Sequence, residues 1–229
     1  MMRPALLPLF MLLGAAPASA PAGTTVLELF TSQGCSSCPP ADRLLAKVAG
    51  SPGVIVLTRP VTYWDRLGWK DTLARPENTA LQYAYQRRFQ TRSVYTPQLV
   101  ADGSREWVGS NRTRLVAELR QRTDSARVAL ARTASGKIAI GIAGQATAKA
   151  EVKLVELAGE RSVDIGRGEN GGRRVTYTNV VLAERVVAGW SGGTRAYTVD
   201  GAGLAGDRVA VIVQAPNAGP ILGAAIIAR

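Results

Sequence analysis

What most limits the folds open to this chain is a change of rhythm near Asp124. Before it, strand-like and helix-like stretches alternate. Val26–Phe30 reads as a buried strand, Pro39–Ala49 as a helix with Leu44, Leu45 and Val48 on one stripe, and Val54–Leu57 as a second strand. A helix follows over Pro76–Phe89, then a strand from Pro97 to Ala101. Asp102-Gly103 turns that strand into a hairpin with Glu106–Val108, and Ser110 or Asn111 caps a last helix over Arg112–Arg122. This β-α-β-α-β-β-α order predicts an α/β layer fold. After Asp124 no helical period recurs. Strand-like runs at Val128–Ala131, Ile138–Ile142, Glu151–Leu157, Arg174–Asn179, Arg185–Ala188, Ala196–Val199, Val209–Gln214 and Ile221–Ile227 are separated by glycine-rich turns. Such spacing predicts an all-β, sandwich-like unit of about 100 residues.

The expected organisation is therefore a signal peptide over 1–22, an α/β domain over 23–123 and a β-sandwich-like domain over 124–229. The leader reading rests on Arg3 ahead of an apolar run from Ala5 to Ala16, then small residues through Ala22. That run is too short to span a bilayer, so export to the periplasm or medium with no membrane span in the mature chain is expected. In that setting a disulfide persists.

The 229 residues include no histidine. This removes the Ser-His-Asp triad, the Cys-His dyad and imidazole metal sites, and two cysteines cannot fill a tetrahedral zinc site. Chemistry is left to thiols, carboxylates, lysines or backbone, with no cofactor implied. A net charge of +11 invites a nucleic-acid reading, but only five of the 28 basic residues are lysine and none gather in a long run. A solvated arginine-rich surface is expected, with no nucleic-acid partner.

Cys35 and Cys38, with Ser36 and Ser37 between them, lie between a buried strand and the start of a helix. There the first sulfur meets the positive end of the helix, which favours thiolate, so Cys35 is the expected nucleophile and Cys38 the resolving thiol. A static bridge closing so small a loop removes little chain entropy. A structural disulfide and half of a shared metal site stay open as alternatives. Pro97 opens a strand, where proline needs a reason. A cis Thr96–Pro97 bond there would lie beside the cysteines and let Thr96 offer backbone groups to an extended substrate. Ser36, Ser37 and Thr96 are thus the expected substrate contacts. Glu28, in an apolar strand, is the candidate acid for exchanging a proton with Cys38, with a structural hydrogen bond or an arginine partner as the equal alternative. Asp42 reads as an ordinary first-turn helix acid and Gln33 as a local hydrogen-bonding residue. Tyr63, Trp64 and Trp69 are expected to pack onto the sheet, a substrate groove being the alternative.

The element order, the CxxC and Thr96-Pro97 together resemble the thioredoxin-like fold. More closely, Leu27–Asp42, Tyr63-Trp64-Asp65, Gly68-Trp69-Lys70-Asp71, Val94–Gln98 and Gly168-Glu169-Asn170 with Asn179-Val180-Val181 resemble the domain-of-unknown-function 1223 family of exported bacterial proteins. Where that family has His-Val-Asp before Tyr63, this chain has Pro60-Val61-Thr62. The resemblance implies a thioredoxin-like domain with a β-rich second half. The function expected is thiol–disulfide exchange through Cys35 and Cys38, with protein or small-molecule thiols and disulfides as partners. The rival is a non-catalytic envelope binding module with a structural disulfide.

Three further patterns read as turns. Gly166–Gly171 and Gly201–Gly206 satisfy G-x-G-x-x-G, but strand-like sequence follows each, so no helix N-terminus receives a phosphate. Gly189–Gly193 satisfies G-x-S-x-G, yet without histidine Ser191 has no base.

Overall fold

The structure, a computed structural model, describes residues 23–121 and 124–228. The expected leader therefore lies outside the described residues. In chain order the elements are β1 (Thr25–Thr31), α1 (Pro39–Val48), β2 (Val54–Pro60), α2 (Pro76–Phe89), β3 (Gln98–Ala101), β4 (Arg105–Val108) and α3 (Arg112–Glu118). Then come β5 (Ala126–Arg132), β6 (Ile138–Gly144), β7 (Ala150–Ile165), β8 (Arg173–Trp190), β9 (Arg195–Val199), β10 (Arg208–Gln214) and β11 (Ile221–Ala228).

The strands do not sort into two folds. Eight of them form one mixed sheet in the order β11-β10-β7-β8-β2-β1-β3-β4, and β5-β6-β9 form a second, smaller sheet. The expectation of a thioredoxin-like α/β domain followed by a separate all-β domain is corrected accordingly. Among the described residues the chain is mostly β, with three α-helices, and strands from both sides of Asp124 share one ladder. The seam is β2 against β8, parallel, with Thr58 opposite Val180 and the Thr58 hydroxyl donating to Thr178 O at 2.6 Å. Local pattern gives no sign of this, because the pairing joins residues about 120 positions apart.

A second difference concerns β7 and β8. The expected runs Arg174–Asn179 and Arg185–Ala188 merge into one 18-residue strand paired with a 16-residue β7. Bulges at Val152/Lys153 and Glu156/Leu157 let the ladder twist without breaking. The hairpin is long enough that its base and its tip serve different parts of the molecule. At the base, Val152, Leu154 and Trp190 join Ile138, Ile140, Ile142, Val209, Val211 and Val213 in a core under the small sheet. At the tip, Val175, Tyr177 and Ile165 pack with Trp69 and Leu73.

β1 is buried on both faces, as its apolar residues on either side of Glu28 require. Leu27 and Leu29 pack with Ala41 and Leu45 of α1. Val26 and Phe30 point the other way, Phe30 meeting Tyr85 of α2 edge to face at 6.0 Å. The β3–β4 turn takes positive φ at Asp102 and Gly103, Ser104 N donates to Ala101 O at 2.9 Å, and the ladder resumes with Ala101 opposite Arg105. Asn111 caps α3 by accepting from Arg114 N at 3.0 Å.

Candidate functional site

β1 carries the chain to the end of the sheet, and Ser32–Gly34 turn it back so that the cysteines precede α1. Ser32 O accepts from Cys35 N at 3.2 Å, and Ser32 Oγ accepts from Gly34 N at 3.1 Å. Cys38 is the N-cap residue of α1 and Pro39 its first helical residue, a position where the missing N–H costs nothing. Cys35 and Cys38 form a disulfide with Cα atoms 5.4 Å apart. Both cysteines have no exposed surface, whereas Ser36 and Ser37 between them are exposed. The expected bath of free helix N–H groups is thinner than foreseen. Pro39 and Pro40 have none, Ser36 N donates to Glu169 Oε2 at 3.0 Å, and Cys38 N donates to Cys35 O. The polar group beside Cys35 Sγ is the Ser37 hydroxyl, at 3.4 Å.

Gln33 anchors this loop, and through distant rather than local partners. Its N–H donates to Asp71 Oδ2 at 2.8 Å, its side-chain amide donates to Thr72 Oγ1, and its Oε1 accepts from Trp69 Nε1 at 2.8 Å. Asn170 then donates to Gln33 O at 3.0 Å and Cys35 O at 2.8 Å. Trp64 bridges to the proline: its Cβ sits 3.2 Å from where a Gly34 side chain would start, and its indole N–H donates to Thr96 Oγ1 at 2.9 Å. The Thr96–Pro97 bond is cis. Pro97 reaches the first turn of α1 around Gly109, whose added Cβ would crowd Leu29, Ala41 and Pro97 together. Tyr63 and Trp64 flank the cluster of Phe30, Val61 and Tyr85, so the aromatics pack against the core.

Of the two readings of Glu28, the structure shows the arginine partner. Glu28 is buried but on the face of β1 opposite α1, where Arg59 Nε donates to it at 2.7 Å and the Tyr85 hydroxyl takes its other oxygen. Arg59 continues to Glu184 at 2.5 Å and to Asn78, closing a buried network on that face. Asp42 lies one helical turn after Cys38 and therefore on the same side of α1, its own N–H donating to Cys38 O at 3.1 Å. It is only 6% exposed, and neither carboxylate oxygen meets a hydrogen-bond donor. Burial pushes its carboxyl up to about 7. Thr31, close but outside hydrogen-bonding geometry, and Arg43 oppose the rise, and the Asp71 charge adds to it. Burial likewise raises Asp71, against the Gln33 and Leu73 N–H groups that it accepts. Sequence reasoning missed Asp42 because its burial depends on the packing of α1 against β8, which no helix window reveals.

Four of the short motifs that carry the family resemblance, 63–65, 68–71, 94–98 and 168–170, meet around the CxxC loop, while 179–181 lies at the β2–β8 seam. The DUF1223 profile, described as a protein of unknown function, matches residues 26–214. The chain belongs to the DUF1223 family. A crystal structure of a protein from Agrobacterium tumefaciens, 32% identical to this DUF1223 chain, covers 90% of it and 95% of its own length with a TM-score of 0.79. No curated protein matches this DUF1223 sequence. Among the described residues there is no group of three or more potential metal-ligating side chains.

Proposed function

We propose that this protein is an exported thiol–disulfide exchange protein working through Cys35 and Cys38. The observation that carries the reading is a buried, unpartnered carboxylate, Asp42, one turn behind a disulfide at a helix start. In the oxidised protein a substrate thiolate attacks Cys35 Sγ, the S–S bond breaks, and Cys38 leaves as a thiolate. Protonated Asp42 gives that thiolate its proton. A second substrate thiol then displaces Cys35, so two electrons and two protons pass to the cysteine pair. In reverse, Cys35 attacks a substrate disulfide and Asp42 carboxylate takes the proton from Cys38 as it resolves the mixed disulfide. Ser37 steadies Cys35 Sγ, while Ser36, Thr96 and Pro97 shape the approach for a protein or small-molecule thiol. Export is supported by the pattern of residues 1–22.

One observation favours the rival, a binding module with a structural bridge: neither cysteine reaches solvent. Equilibration of the mature protein with glutathione buffers separates the two. A two-electron transition between roughly −120 and −270 mV supports exchange, and resistance to reduction below about −300 mV makes the bridge structural. Cys38→Ala should then trap substrate proteins on Cys35 as mixed disulfides.

A further inference from the structure

We infer that the tip of the β7–β8 hairpin is a polar latch over the disulfide, and that Glu169 and Asn170 determine which thiols reach Cys35. This rests on the exchange reading above. A nucleophile must arrive at sulfur along the S–S axis, yet neither cysteine is open to solvent even though both intervening serines are.

The cover is specific. Asn170 is 1% exposed; its amide is spent on Gln33 O and Cys35 O, and Arg173 Nη1 fixes its oxygen at 3.1 Å. Glu169 takes the Ser36 N–H. Beneath the tip lies Trp69, 3.0 Å and 3.3 Å from where side chains at Gly166 and Gly168 would begin. The ladder behind reaches Ile165 opposite Arg173, where Ile165 packs with Trp69 and Leu73; beyond it the turn over 166–172 meets the CxxC loop through these polar bonds and the Trp69 indole. Gly168 and Gly172 take positive φ on either side of the turn, which Gly171 N to Gly168 O and Gly172 N to Ile165 O close on itself so that it moves as one piece. The tip therefore lifts at the cost of a few hydrogen bonds, with the hairpin intact. Large thiol proteins need it fully lifted, whereas small reductants need only a partial opening.

The test reduces the intact mature protein with tris(2-carboxyethyl)phosphine and counts thiols over time by alkylation. The phosphine attacks Cys35 Sγ and Cys38 leaves and is protonated; water then cleaves the P–S bond, giving the Cys35 thiol and phosphine oxide. The reaction is irreversible, so the rate is readable whatever the reduction potential, even one low enough to defeat the exchange reading. Asn170→Ala should speed reduction roughly tenfold, by the loss of two buried hydrogen bonds. Glu169→Gln should do so by less, and reduced thioredoxin as reductant should gain more than the phosphine in both variants. Ile140→Val, in the distant core under the small sheet, controls for general loosening. An Asn170→Ala rate within twofold of wild type, or equal acceleration by Ile140→Val, overturns the latch.

Discussion

On the α2 side of β1, Glu28 has a donor for each oxygen; on the α1 side, Asp42 has none. Both carboxylates are buried, a few residues from the same loop, and they teach different things. A buried acid paired by an arginine, a tyrosine and the groups behind them is part of the framework, and its network joins β1, β2, α2 and β8. Burial would raise the Glu184 carboxyl, but Arg59 and Lys153 hold it low. A buried acid left without a partner is held at the edge of ionisation near neutral pH, where it can trade protons with a neighbour.

The sharpest way to break the contrast is Arg59→Met. It leaves Glu28 buried without its cation and should cost about 3–5 kcal/mol in denaturant unfolding. Its effect on the cysteine potential should be small, since the network lies across the sheet. Asp42→Asn should do the opposite. With the folded carboxyl at about 7 and the unfolded one near 3.8, wild-type stability from this group is present at acid pH and lost as pH rises from about 4 to 7. At pH 8 the variant should be more stable by roughly 4 kcal/mol, with a flatter stability–pH curve and slower resolution of mixed disulfides. A wild-type curve indistinguishable from the variant's would refute a poised Asp42. At the small end, Arg174→Ala removes an exposed pair with Asp164 and should change stability by under about 0.5 kcal/mol.

The sequence made the local features readable. The apolar run of β1, the double proline after Cys38 and the Asp102-Gly103 turn each encode their conformation within a few residues, and the structure forms them there. What it hid is long-range. Whether Glu28 is free or paired is decided by residues 31 and 57 positions away, and the β2–β8 seam by residues about 120 away. Gly166–Gly171 is a turn, as its composition says, but that the turn closes over Cys35 is a property of hairpin length. The clue in the sequence was Gly168-Glu169-Asn170 recurring among the family motifs.

Chain order gives the latch a consequence for how the protein is made. Asn170 follows Cys35 by 135 residues, so throughout synthesis of the intervening chain the two thiols have no cover. A Cys35–Cys38 bond that forms before the β7–β8 hairpin folds is made without Asn170 or Glu169 against the loop, whereas any later reduction of it starts from the folded arrangement.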